Sequence, residues 1–287
     1  MPVHDDLGLR MKNNYESIPK TRLMRRTPVA IRIDGKAFHT FTKGFEKPFD
    51  MVLIKSMQQT MKYLCENIQG CVFGYCQSDE ITLILVDYQT LTTDAWFDYE
   101  VQKMCSISAS MATMAFNKFF AENVDKRIDL LPADERNDNN YIYKLGCTYF
   151  NAINKGAIFD ARCFNIPKEE VTNLIYWRQL DATRNSIQMV GQANFSHKEL
   201  QNKSCNMIQD MLHEQKGINW NDFPTVCKRG TACIKKYEEE GHCVVDCGKP
   251  TGFVVDKVNS KWILDTEMPI LKGKDRKYVD DLVYIGE

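Results

Sequence analysis

Two apolar segments, at about 71–77 and 80–87, are parted only by Ser78 and Asp79, and this pair limits the folds open to the chain more than any other feature. A two-residue gap between strands leaves a hairpin as the available connection. Upstream, Pro28 to Asp34 is rich in β-branched residues and reads as a strand ending in Asp34-Gly35. Between it and the hairpin, Asp50 stands as an N-cap, and Val52, Ile54, Met57, Met61, Leu64 and Ile68 recur at helical intervals up to Gly70. Downstream the spacing predicts a long helix over about 96–123, with the stripe Phe97, Val101, Met104, Ser108, Met111, Ala115 and Phe119. An Asn- and Asp-rich loop (133–140) leads to strand-like segments near 141–149 and 157–165. Strand–helix–strand–strand–helix–strand is the ferredoxin-like order of an α+β fold. In it the first crossover makes strands one and two parallel and inserts the third antiparallel between them. The end of strand one and the hairpin turn then meet at one sheet edge, which sets Asp34 beside Asp79.

The second half is helical, then mixed. Pro167, followed by Glu169 and Glu170, opens a helix through about Val190. Ser196-His197-Lys198-Glu199 is a capping box leading into a helix through about His213. Short strands follow at 231–237, 252–256 and 261–265, then a polar tail. The chain accordingly divides into a core with an N-terminal basic arm (1–165) and a helical and mixed C-terminal region packed on it (166–287), ending in a strand-containing appendage.

Composition excludes several classes. The chain is 44% hydrophobic and 26% charged, as soluble globular proteins are. No apolar run reaches the roughly 18–20 residues of a membrane span. The polar N-terminus lacks a signal-peptide core, which points to the cytoplasm. Its 11 cysteines are odd in number and irregularly spaced, and most lie within apolar patterns, as reduced core thiols do. Cys227, Cys233, His242, Cys243 and Cys247 are numerous enough for zinc but lack a paired Cys-x-x-Cys, so plain strand and turn cysteines are the better reading. Net charge is −1, yet Arg10, Lys12, Lys20, Arg22, Arg25 and Arg26 face only Glu16 within the N-terminal arm. A solvated arm and an RNA-facing one explain that run equally well.

The chemistry concentrates at the strand ends. A strand-terminal Asp-Gly is by itself usually a turn. Here it is joined by Gly35 to His39, whose successive N–H groups suit phosphate oxygens. Lys43, Lys47 and Lys103 are phosphate partners to consider, and Lys47 stands just before a helix start, where the dipole also favours anions. Paired Asp34 and Asp79 can share divalent ions beside such a loop, the requirement of nucleotidyl transfer.

With Arg32-Ile33-Asp34-Gly35-Lys36-Ala37-Phe38-His39, Lys47-Pro48-Phe49-Asp50, Gln77-Ser78-Asp79-Glu80, Phe159-Asp160-Ala161-Arg162 and Trp177-Arg178-Gln179-x-Asp181 in order, the chain resembles the tRNA(His) guanylyltransferases and related 3′–5′ RNA polymerases over roughly 5–236. The resemblance implies a polymerase-palm-like core, two Mg2+ ions, ATP or GTP, an incoming NTP and nucleotide addition to the 5′ end of tRNA. It implies metal ligation by Asp34, Asp79 and the Gly35 carbonyl, and nucleotide contact by Gly35, Lys36, Ala37, Phe38, His39 and Ser78. Lys47 would serve 5′-end activation. Lys103 and Arg162 match basic positions that handle phosphate, and Arg178 and Asn185 would lie toward RNA. Glu80 would adjoin the metals or brace the hairpin. A homotetramer is implied too.

The chain departs from the family where its tRNA(His)-recognising members carry His-Ile-Asn-Asn-Leu-Tyr-Asn. Here the place reads Thr183-Arg184-Asn185-Ser186-Ile187-Gln188-Met189, although Arg178, Asp181 and Asn185 still share one helix face. Cys76 and Ala161 each replace a usual glycine. The pattern is similar to the bacterial and archaeal "like" branch, which implies template-dependent repair of 5′-truncated tRNA. Non-templated guanylyl addition to tRNA(His), a palm-type nucleotide cyclase and a non-catalytic RNA-binding sheet are the rival readings.

Overall fold

The computed structural model describes residues 5–129, 139–246 and 249–285, and for 139–142 and 238–258 the backbone alone. Its centre is an antiparallel sheet ordered β4-β1-β3-β2-β5-β6. The strands are β1 (Val29–Gly35), β2 (Cys71–Gln77), β3 (Glu80–Leu85), β4 (Phe159–Asn165), β5 (Thr231–Asp246) and β6 (Lys249–Asp265). β3 lies antiparallel between β1 and β2, and β4 pairs the far side of β1. This is the ferredoxin-like order expected from the sequence. The C-terminal strands extend the same sheet, because β5 pairs β2 from Phe73↔Ile234 to Cys76↔Thr231. Three short strands were expected there; two long ones form.

The helices are α1 (Asp6–Met11), α2 (Phe38–Phe41), α3 (Met51–Asn67), α4 (Val101–Asp129), α5 (Asn139–Lys155), α6 (Lys168–Asn194), α7 (His197–Leu200), α8 (Cys205–Lys216), α9 (Thr225–Arg229) and α10 (Lys277–Val283). Helices α3 and α4 cover one sheet face, burying Ile31, Ile33, Ile81 and Leu83 with Met57, Met61, Phe116 and Phe120. Helices α6 and α10 cover the other, burying Ala30, Phe73, Tyr75 and Ile84 with Val171, Ile175, Val279 and Val283. Burial on both faces explains why β2 and β3 read as almost continuous apolar runs rather than alternating ones. Helix α6, about 40 Å long at 27 residues, outruns the sheet. Its C-terminal half packs Ile187 and Val190 against Ile208, Leu212 and Trp220.

Four local expectations are corrected. The strand-like text near 141–149 is helix α5, where Leu145, Tyr149 and Ala152 are buried at i, i+4 and i+7. Aromatic and β-branched content had mimicked a strand. Helix α4 begins at Val101, after a 3-10 turn at Trp96–Tyr99 whose Phe97 and Asp98 have positive φ, and Phe97 is exposed rather than part of the stripe. The helix expected from 197 to 213 breaks at Asn202 (φ 60°), and Ser204 caps a new one. The tail contains α10, held by Tyr88 donating to the Val283 carbonyl (2.9 Å) and Thr172 to Asp280 (2.5 Å). The capping box at Ser196 and Glu199 forms as read.

Candidate active site

Asp34 is the penultimate residue of β1, directly opposite Glu80 on one side and Asp160 on the other. The Gly35 N–H donates to the Asp79 carbonyl (3.1 Å), which ties the end of β1 to the Ser78–Asp79 turn. Ser78 supplies the positive φ (50°) of that turn and donates from Oγ to Asp79 Oδ1 (3.1 Å). Burial, and then the nearby charge of Asp34, holds the Asp79 carboxyl above its ordinary range.

The loop after β1 is shaped by Phe38. A Cβ at Gly35 would sit 2.2 Å from the Phe38 ring, so only glycine lets the ring fold back under the backbone. Phe38 then packs on Phe41, Phe116 and Phe159. Ala37 takes a left-handed φ of 54°, and the Lys36 N–H bonds the Ile158 carbonyl (2.8 Å). The result is a cleft of about 510 Å3 lined by Asp34, Gly35, Ala37, Phe38, His39, Lys47, Ser78 and Asp79. Asp50 anchors its far wall. Its carboxylate caps α3 at Leu53 (2.9 Å) and accepts from Tyr149 Oη (2.8 Å) and the Glu46 N–H (3.1 Å). Met189 and Gln192 of α6 also line the cleft. Sequence reasoning passed over both, since no local pattern marks residues that approach from over a hundred positions away.

Other candidates lie elsewhere. Lys36 is exposed and is not among the residues lining the cleft. Lys103 stands near the opposite end of β4: Cys105 of α4 touches Cys163 (3.6 Å), whereas Thr113 reaches Phe159 at the Asp34 end (3.1 Å). Arg162 does reach the site, 3.0 Å from Asp160 and 4.0 Å from Asp34. Arg178, expected toward RNA, is instead buried between Glu80 (2.7 Å) and Asp181 (2.8 Å). A guanidinium so committed braces the hairpin, and Glu80 takes the bracing role rather than an open one. Asn185 donates to Asp181 (3.3 Å) and faces a small cavity of about 70 Å3 behind Ser78. In the basic arm, Arg22 and Arg25 are engaged by Asp98, and Arg25 also by Asp87.

The donor set suits magnesium. Mg2+ prefers oxygen ligands and binds through one or two carboxylates plus substrate phosphates rather than an all-protein cage. Asp34 and Asp79 provide two such carboxylates at one cleft. Among the described residues no cluster of three or more His, Cys, Asp or Glu is placed to hold a metal. Of the zinc candidates, Cys233 is buried in the sheet and Cys227 is half-buried. The side chains of His242, Cys243 and Cys247 lie outside the described residues.

A ferredoxin-like sheet with paired rim carboxylates beside a nucleotide-sized cleft is the architecture of palm-type nucleotidyltransferases. The family model described as tRNAHis guanylyltransferase matches residues 9–167, more than half of the 287, and the chain belongs to that family of nucleotidyltransferases. A bacterial tRNA(His) guanylyltransferase (Thg1)-like protein solved in complex with ATP is 39% identical, with a TM-score of 0.76 over 98% of this chain and 100% of that one. The corresponding complex with GTP is 38% identical, with a TM-score of 0.71 over the same shares. Among curated relatives, the Saccharomyces cerevisiae tRNA(His) guanylyltransferase is 25% identical over 73% of this chain and 83% of its own length. An uncharacterized protein of Acanthamoeba polyphaga mimivirus, R259, is 29% identical over 82% and 78%. Among the described residues no helix is long and apolar enough to cross a membrane.

Proposed function

We propose that this chain repairs 5′-truncated tRNA by template-dependent 3′–5′ nucleotide addition, working in the cytoplasm as a homotetramer. The observation that carries the reading is the convergence of Asp34 and Asp79 at a cleft lined by Gly35, Ala37, Phe38, His39 and Lys47. The similar bacterial proteins were solved in complex with ATP and with GTP, and we assign either nucleotide to this cleft.

The reaction has two transfers. A 5′-monophosphate oxygen of the RNA attacks the α-phosphorus of ATP or GTP, releasing pyrophosphate. The 3′-hydroxyl of an incoming NTP then attacks the activated 5′ phosphorus, releasing the nucleoside monophosphate. Two Mg2+ ions held by Asp34, Asp79 and the Gly35 carbonyl would lower the pKa of each attacking oxygen and offset charge on the leaving side. The protein's own part is positional. Ala37 to His39 and Ser78 cradle the phosphates, since the Gly35 and Lys36 N–H groups are already bonded to the Asp79 and Ile158 carbonyls. Lys47 neutralises the triphosphate during activation, and Met189 and Gln192 line the cleft.

Template dependence draws support from positions 183–189, whose residues differ from those of the tRNA(His)-recognising members. The test supplies tRNAs lacking the first nucleotide, one for each opposing base, and identifies the nucleotide added. Addition that follows Watson–Crick pairing supports the reading; guanosine added regardless of the opposing base refutes templating. In the same assay Lys47→Ala should slow addition to 5′-monophosphorylated RNA at least tenfold more than to 5′-triphosphorylated RNA. Equal losses would remove its activating role.

A further inference from the structure

On the sheet face that carries α6, the rim beside Asp34 presents arginines and one indole. Strand alternation puts Arg32 and Asp34 of β1 on the same side as Arg162 and Asp160 of β4, and the register sets Arg32 directly opposite Arg162. Like charges so opposed repel each other. Arg162 is half exposed, and among the described residues its counter-charges are Asp160 (3.0 Å) and Asp34 (4.0 Å). Among the described residues the buried Nε of Arg32 finds no hydrogen-bond acceptor, and it lies 3.5 Å from Glu80. Beside them stands Trp177, 52% exposed, its ring 5.7 Å from the Arg32 guanidinium and 4.5 Å from that of Arg178. The other tryptophans, Trp96, Trp220 and Trp262, are only 7%, 8% and 9% exposed.

We propose that Trp177 is a stacking platform for the 5′-terminal nucleotide of the acceptor RNA and that Arg162 receives that nucleotide's phosphate. The proposal rests on the 5′-end reading above and adds the place where the RNA sits. An exposed aromatic among cations is the combination that binds unpaired nucleotides, with the base on the ring and the backbone on the charge. Arg32 and Asp34 are two residues apart on a strand, about 6.6 Å, close to one nucleotide's length. Arg32, beside the Trp177 ring, is opposite Arg162 and two residues from Asp34, so a base on Trp177 sets its 5′ phosphate toward that pair. Arg32, Arg162 and Trp177 do not line the nucleotide cleft, whereas Asp34 borders both regions. RNA end and nucleoside triphosphate then approach the carboxylates from different directions. An open rim also suits a polymer that continues outward, where a free nucleotide would favour the enclosed cleft.

With three tryptophans buried, acrylamide quenching of intrinsic fluorescence reports chiefly on Trp177. Titration with a 5′-monophosphorylated tRNA lacking its first nucleotide, with no NTP present, should protect Trp177 from the quencher. Trp177→Ala should weaken binding of this tRNA about fivefold or more while leaving the KM for ATP unchanged. Trp177→Phe should retain most of the affinity, and thermal melting should show both variants folded. Absence of protection, or wild-type affinity in Trp177→Ala, overturns the platform. Equal protection by ATP alone overturns its assignment to RNA. Protection without templated addition would leave the platform standing and remove the activity reading, whereas templated addition with Trp177 still open to acrylamide would remove the platform alone.

Discussion

Asp79 shows how one residue can trade stability for chemistry. Its raised carboxyl, caused first by burial and then by Asp34, means that ionisation is disfavoured in the folded state. The folded protein therefore binds the proton more tightly than the unfolded chain. Below the ordinary carboxylate range no penalty exists; it grows as pH rises towards the raised pKa and is fully present above it. At neutral pH, Asp79→Asn should melt no lower than wild type in the absence of divalent ions, while nucleotide addition falls at least a hundredfold. Asp34→Ala should lose activity to a similar degree. Calorimetry beside a single-turnover assay checks both, and near wild-type rates at saturating Mg2+ would remove the metal assignment. These two acids could be picked out in the sequence because each stands at the end of an apolar strand. The burial of Arg178 could not, because its partner Glu80 is 98 positions away.

At the level of elements, the hairpin was the most readable part of the chain, since two residues permit little else. Capping was equally plain at Asp50 and Ser196, where a side-chain oxygen meets the free N–H groups of a first turn. Helix α5 was misread because Tyr and Ile near 141–149 suit either structure, and the choice depends on which residues meet α4. The brace between α6 and the hairpin is likewise tertiary. Arg178 and Glu80 side chains are both 7% exposed, so deleting Arg178 strips the buried Glu80 of its direct hydrogen-bonded partner and leaves it facing the more distant Arg32 (3.5 Å). Arg178→Ala should cost about 3–5 kcal/mol in urea unfolding, and a loss below about 1 kcal/mol would show the pair to be dispensable. Nucleotide addition should fall with stability, because the same brace fixes the turn that carries Asp79.

The whole molecule leaves one surface unexplained by its own core. Helix α1 buries none of its residues, and Leu7, Leu9 and Met11 there, with Tyr15 and Ile18 beyond it, are exposed. Contact with further copies would remove that apolar surface from water. Sedimentation should give a mass near four times 33.2 kDa. Leu7→Glu with Leu9→Glu should lower that mass with little change in melting temperature, and a monomeric wild type would end the tetramer proposal. By itself the sequence determined strand order, sheet edge and the acids on it, because local periodicity and short connections leave few topologies. Tertiary structure alone decided that Met189 and Gln192 enter the cleft, that Arg178 turns inward, that Lys103 stands at the wrong end of β4 and that β5 extends the sheet. Each of these depends on side chains brought together from distant positions, where packing and charge pairing, rather than local spacing, select the partner.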